Sequence, residues 1–221
     1  MEKELVKYLE GFITEKRKAL FEKVIAQRTK YLTVVLEDIY QSQNASAVLR
    51  SCDCFGVQDV HVIENRNEFT LHRDIAMGSS KWLTLNHYNN YPNNTLEAIN
   101  QLKQQGYRIV ATTPHTNDTN LEDFDLTKGK SAFIFGTELT GVSQDVIDNA
   151  DEFVKIPMHG FTESFNISVC VALVIHHLTL QLRNSEINWQ LSEEDIADIK
   201  LNWLRQTLKR FPLLEERFRN S

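Results

Sequence analysis

The sequence predicts an α/β domain, a parallel sheet with helices on both faces, flanked by helical N- and C-terminal extensions. Three observations carry this. Short β-branched or aromatic runs such as Leu32–Leu36 (LTVVL) and Ser131–Phe135 (SAFIF) recur along the chain. Segments with helical periodicity alternate with them, the pattern of parallel strands joined by crossovers. At 221 residues the chain has the length of one medium domain with small terminal additions.

Residues 1–28 read as helix, because Leu5, Tyr8, Leu9 and Phe12, then Leu20, Phe21, Val24 and Ile25, recur at helical spacing. Leu32–Leu36 is a buried strand, followed by a polar turn at Gln41–Asn44. A helix runs from Ala45 to Phe55, with Asn44 as its N-cap and Gly56 as its C-cap. Val57–Ile63 alternates as a strand. Residues 65–80 are polar and loop-rich, with room for one short helix. Trp82–Leu85 is a short strand. Thr95–Gln105 is an amphipathic helix capped by Asn94 or Thr95 and ended at Gly106. Tyr107–Thr113 is a strand halted by Pro114, and Ser131–Phe135 is another. Ser143–Asn149 is a short helix and Phe153–Ile156 the last strand. The helix Ile167–Leu182 is apolar nearly all round, so it is buried on most sides, and in a domain this size that suggests a subunit interface. Residues 184–192 form a polar linker. Residues 193–210 form a C-terminal helix with Ile196, Ile199, Trp203, Leu204 and Leu208 on one face. The expected division is 1–30, 31–183 and 184–221.

The start, MEKELVKYLE, is charged and has no apolar core of a signal peptide. No uncharged run reaches membrane length. The expectation is a soluble, cytoplasmic protein with no membrane. Cys52, Cys54 and Cys170 lack zinc spacing and read as reduced, buried or half-buried thiols, so no metal is expected. Net charge is −6, yet Lys16, Arg17, Lys18, Lys23, Arg28 and Lys30 cluster near one end. Lys200, Arg205, Lys209, Arg210, Arg217 and Arg219 cluster near the other. Either run alone is a solvated helix face; two flanking an acidic middle fit a polyanion partner.

Three loops at strand ends carry polar groups, the position where α/β proteins hold ligands. The first is Asn44–Arg50 (NASAVLR). On these residues alone Asn44 reads as a cap and Arg50 as a solvated arginine. The second is Gly136-Thr-Glu138-Leu-Thr-Gly141. It lacks the Lys-Ser/Thr pair of a phosphate-binding P-loop, and no dinucleotide glycine fingerprint occurs anywhere. Its glycines suit close approach of backbone to a ligand, or simply a tight turn. The third is Ile156–Ser168 (IPMHGFTESFNIS), where Asn166 also reads as a helix cap. His159 reads as a solvated loop histidine. His176 and His177, on the apolar helix, read as hydrogen-bonded packing, and no histidine sits in a triad context.

These three loops, in this order, resemble the SPOUT superfamily of RNA methyltransferases and within it the TrmH family of tRNA (guanosine 2′-O) methyltransferases. The matching residues are Asn44, Arg50 and Phe55-Gly56; then Gly136, Glu138 and Gly141; then Ile156-Pro157-Met158, Gly160, Ser164, Asn166 and Ser168. The likeness is loosest at Gln43, where many members have His, and at Thr140, where some carry a large side chain.

The resemblance implies a sheet whose C-terminal part is threaded into a deep trefoil knot, a homodimer, and S-adenosylmethionine bound at the knot. It implies that Thr113, Gly136, Ile156 and Phe165 line the donor pocket. It assigns Arg50, Asn44, Glu138, Ser164 and Asn166 to catalysis. An arginine is essentially never deprotonated in proteins, so Arg50 is expected chiefly to stabilise alkoxide charge on a ribose oxygen. The RNA grip is expected from Lys16, Arg17, Lys18, Arg28 and Lys30, with tRNA as the partner. About thirty residues precede the first strand, too few for a separate RNA-binding domain, which favours tRNA, and the resemblance implies guanosine 18 of its D-loop. The rival readings are an enzyme acting on ribosomal RNA or another tRNA position, and a non-catalytic RNA-binding protein.

Overall fold

The computed structural model describes residues 2–113 and 118–220. The expected stop at Pro114 lies outside the described residues. The chain forms two compact units, residues 30–189 and residues 1–29 with 190–221.

Among the described residues the larger unit is built on seven strands: β1 (Leu32–Glu37), β2 (Asp59–Ile63), β3 (Thr84–Tyr88), β4 (Arg108–Thr112), β5 (Thr119–Asn120), β6 (Ser131–Phe135) and β7 (Glu152–Lys155). Their order is β3-β2-β1-β6-β4-β7-β5, and every pairing is parallel. A parallel sheet must be covered on both faces, and alternation along β1 divides its side chains between two cores. Val34 and Leu36 pack on one face, with Val48 and Leu49 of a helix at Ser42–Phe55 and Val171, Ile175 and Leu178 of a helix at Ile167–Arg183. Val35 packs on the other, with Ile99 and Leu102 of a helix at Asn94–Gln104 and Val146 of a helix at Gln144–Asn149. In chain order the helices of the molecule are α1 (Glu2–Glu10), α2 (Glu15–Ile25), α3 (Ser42–Phe55), α4 (Arg73–Ala76), α5 (Asn94–Gln104), α6 (Gln144–Asn149), α7 (Ile167–Arg183), α8 (Glu193–Thr207) and α9 (Phe211–Arg219).

Several expectations need correction. The helix read over 1–28 is two helices. Gly11 and its neighbours interrupt it, and Thr14 caps α2 by accepting from the Arg17 amide at 3.2 Å. The polar stretch at Gln41–Asn44 is no turn: α3 begins at Ser42, so Asn44 lies inside its first turn and is not the N-cap. The strand expected at Trp82–Leu85 begins two residues later, because a 3₁₀ turn takes Ser79–Lys81. The cap of α5 is Asn93, and Asn94 turns back to donate to the Glu64 carbonyl at 2.9 Å. The C-terminal helix stops at Thr207 and a separate one follows, with a proline at its start. Gly56 ends α3 in the left-handed conformation with φ 81°, as expected.

In the smaller unit α1, α2, α8 and α9 share a core of Leu5, Leu9, Phe21, Ile25, Trp203 and Leu204. Phe21 meets Trp203 edge-on at 5.2 Å. Lys200 is gripped by Glu10, at 3.2 Å, and by Glu22. No helix among the described residues is long and apolar enough to cross a membrane, and none of their His, Cys, Asp and Glu groups could hold a metal ion.

Candidate active site

A pocket of about 410 Å³ opens at the carboxyl ends of β4, β6 and β7, where the strands hand over to loops. Thr113, Gly136, Glu138, Ile156, Ser164 and Phe165 all line it. Leu121, Phe135, Val154 and Val174 give it an apolar wall, and Glu138 and Glu163 bring carboxylates. Burial pushes the Cys170 thiol in this wall up to about 11, so it stands there as a neutral apolar group. Of the three cysteines, Cys54 is exposed, contrary to expectation, while Cys52 is buried and Cys170 half-buried.

The Gly136–Gly141 turn is closed on itself. Thr137 and Gly141 exchange backbone hydrogen bonds of 3.0 Å in both directions. A Cβ at Gly136 would collide with the Gly141 carbonyl, and Gly141 takes φ +67°. The first glycine is therefore required by the turn's own backbone. The tip is open: Leu139 is fully exposed.

One carboxylate ties the three loops together. Glu138 Oε1 accepts from Asn44 Nδ2 at 3.0 Å, from Asn166 Nδ2 at 2.9 Å and from the Ile167 amide at 3.4 Å. Asn166 Nδ2 also donates to Asn44 Oδ1 at 3.0 Å, and Asn44 Nδ2 to Gln41 Oε1 at 3.0 Å. Asn166 is the N-cap of α7, its Oδ1 accepting from the Ser168 amide at 2.9 Å. A carboxylate at this end of the helix is favoured by the helix dipole.

Arg50 does not line this pocket. It stands exposed on α3, six residues beyond Asn44, and its guanidinium makes no hydrogen bond or ion pair among the described residues. Thr113 is buried and its hydroxyl bonds Asp118. His159 is exposed as expected. His176 is also exposed, with its ring edge-on to Phe55 at 5.3 Å, and His177 Nε2 is buried without a hydrogen-bond partner, so neither is the hydrogen-bonded packing residue expected. Of the expected RNA contacts, Lys16 and Arg17 are exposed, Lys18 reaches Glu10 at 3.8 Å, and Lys30 reaches Asp59 at 3.7 Å. Arg28 is a correction: it is 2% exposed with its guanidinium over the Trp203 ring, a packing position closed to phosphate. Sequence reasoning missed Gln41 and Asp118 as partners of site residues.

The chain matches the model of the SpoU rRNA Methylase family over residues 31–176. It is 48% identical to a tRNA (guanosine(18)-2′-O)-methyltransferase of Borreliella burgdorferi over 94% of this chain and 93% of that one. It is 31% identical to the Thermus thermophilus protein of the same name, over 87% of this chain and 98% of that one. Among solved structures, the A. aeolicus TrmH/SpoU tRNA modifying enzyme superposes with a TM-score of 0.78 at 27% identity, covering 89% of this chain and 98% of its own. The family match over most of the chain, and relatives that align with it over nearly their whole length, show that the chain belongs to the SpoU methylase family.

Proposed function

We propose that the protein transfers a methyl group from S-adenosylmethionine to the ribose 2′-hydroxyl of a tRNA nucleotide, guanosine 18 of the D-loop. The observation that carries this reading is the convergence of Asn44 and Asn166, from two separated loops, on the Glu138 carboxylate of a third, which lines the apolar pocket. The near-full-length relatives named for that reaction support it.

The pocket suits the donor. Its volume is in the range of small-molecule sites. Its apolar wall suits an adenine ring and its two carboxylates suit a cationic sulfonium. When bound, S-adenosylmethionine supplies an electrophilic methyl group. Thr113, Gly136, Ile156 and Phe165 hold it. Glu138, Ser164 and Asn166 fix the loops and position the substrate. Asn44 orients the ribose or Arg50. A ribose hydroxyl is a weak nucleophile until its proton leaves. As the carbon–oxygen bond forms, the carbon–sulfur bond would break to release S-adenosylhomocysteine and the hydroxyl proton would pass to solvent, while Arg50 chiefly stabilises the charge that develops on the oxygen, helped by a substrate phosphate.

The working form in this reading is a cytoplasmic homodimer with a deep trefoil knot. The sheet order supports the knot, since β6 and β7 are inserted between earlier strands. Val169, Leu173, His176 and Leu180 support the dimer, for they form an exposed stripe along α7. Lys16, Arg17, Lys18 and Lys30 contact RNA phosphates, which makes binding salt-sensitive.

The test is methylation of unmodified tRNA transcripts, with ribosomal RNA fragments as control and the modified nucleotide mapped. The expected product carries its methyl on the ribose of guanosine 18. Arg50→Ala should keep donor binding and dimerisation while losing at least about two orders of magnitude in rate. Turnover near wild type in that variant, or methylation confined to ribosomal fragments, would overturn the assignment.

A further inference from the structure

A second cleft, of about 490 Å³, lies at the amino end of α3 and takes no part in the chemistry above. Tyr40, Gln41, Gln43, Arg66, Asn67 and Glu68 border it. Tyr40 is 78% exposed. Arg66 is exposed and its guanidinium makes no hydrogen bond or ion pair among the described residues. An open aromatic ring or a free arginine alone is ordinary surface. Here the two border one polar cleft.

The loop that presents Arg66 is fixed. Asp38 Oδ1 accepts from the amides of Asn65 and Arg66, both at 2.8 Å. The Asp38 carbonyl accepts from Asn67 Nδ2 at 2.8 Å, and Glu64 Oε1 accepts from the Phe69 amide at 2.8 Å. Asp38 itself holds φ 53°, in the left-handed region that residues with a side chain visit rarely. Such conformations persist where the surroundings enforce them, and they gather at functional sites. Arg66 is thus carried by a rigid loop.

The cleft adjoins the site already described. Gln41 borders it and accepts from Asn44 Nδ2, the same amide that reaches Glu138 on the pocket wall. An RNA strand with its reacting ribose at Asn44 would carry a neighbouring nucleotide into this cleft. We propose that the cleft is a single-stranded RNA subsite, in which Tyr40 stacks one base next to the reacting nucleotide and Arg66 takes its phosphate. The proposal rests on the methyl-transfer reading for the placement of the ribose. An aromatic ring beside a guanidinium is the usual equipment for an unpaired nucleotide, and a duplex offers no free base face to such a ring. Glu68 in the rim opposes the pooling of many phosphates, so the cleft suits one nucleotide better than a general polyanion.

The test uses the full chain. Tyr40→Ala, Tyr40→Phe and Arg66→Ala are compared with wild type for affinity to an unmodified tRNA transcript across a salt series, for methylation rate, and for S-adenosylmethionine affinity by calorimetry. Tyr40→Ala is expected to weaken tRNA binding about tenfold, while Tyr40→Phe, which keeps the ring, stays near wild type. Arg66→Ala is expected to lower the slope of log affinity against log salt by about 1. Donor affinity is expected to be unchanged in all three. Unchanged tRNA binding in either alanine variant overturns the proposal, as does a loss in Tyr40→Phe equal to that in Tyr40→Ala. Binding and methylation are read separately. A wild-type protein that binds tRNA but methylates no guanosine therefore sinks the reaction assigned above, while the binding series still decides on the cleft.

Discussion

Glu138 and Gly136 set the site from opposite directions. The carboxylate gathers donors from two distant helices on one oxygen. The glycine leaves room for a carbonyl that no side chain could share. Gly136→Ala should therefore force the turn open, at a cost of about 2–3 kcal/mol by the scale of overpacked sites, a loss of roughly 5–10 °C in melting temperature. Donor binding should fall with it. Gly160→Ala is the control, since its Cβ would meet nothing within 4 Å. Calorimetry and thermal melting of both variants check this, and equal stability of the two would refute it. At this scale the sequence was legible in part. Gly136, Glu138 and Asn166 stood out through the family motifs they match, whereas their local pattern alone left a tight turn and a helix cap open. Asn44 was misread because capping rules see only local backbone, whereas its amide is bonded to a residue 94 positions away. Arg28 was misread for a related reason: a cluster of charges does not reveal which arginine lies flat on a tryptophan.

At the scale of elements, α7 shows both the strength and the weakness of composition as a guide. Its uniform apolarity predicted burial on most sides, and Val171, Val174, Ile175 and Leu178 are indeed buried. Val169, Leu173 and Leu180 are not, at 45%, 41% and 53% exposure. If a second copy covers that stripe, Leu173→Asp with Leu180→Asp should give a monomer in size-exclusion chromatography or sedimentation at micromolar concentration. A dimer unaffected by both changes would place the interface elsewhere. The strands of the sheet centre were the most legible, because buried parallel strands are continuous apolar runs. β3 was placed poorly: it is an edge strand and tolerates Asn86 and His87, which mask its pattern. β5 has two residues and no pattern at all. The break between α1 and α2 was written in the sequence as Gly11 and the capping Thr14, but the hydrophobic spacing ran through it.

For the whole molecule, stability should depend on pH through a group far from the chemistry. Burial, with the Lys30 charge as a smaller contribution, lowers the pKa of His61 from 6.5 to about 4. Its Nδ1 lies 3.0 Å from the Tyr88 hydroxyl. Between those two pH values the unfolded chain takes up a proton that the folded chain refuses, so stability falls as pH drops through that window. The full loss is about 3 kcal/mol at pH 4, and it is absent above the unfolded value. Urea unfolding at pH 7 and pH 5 should show part of this loss in wild type and less of it in His61→Gln. Equal pH dependence in the two proteins would exclude His61 as the source. At this scale the sequence conveyed the parallel sheet and its two-sided cover. It could not convey that the two ends of the chain fold into one unit, because no local pattern links residues so far apart.

The reciprocal Thr137–Gly141 bonds have a last consequence. They close the turn beside the pocket through main chain, and the Thr137 hydroxyl adds a side-chain tie, accepting from the Thr140 amide at 3.1 Å and bonding the Thr140 hydroxyl at 2.8 Å. Leu139, fully exposed at the crest, can be exchanged without deforming it, and its replacement would tune what the mouth admits. Position 136 has an alphabet of one letter. Variation in such a site belongs at the crest of the turn, and its foot must stay as it is.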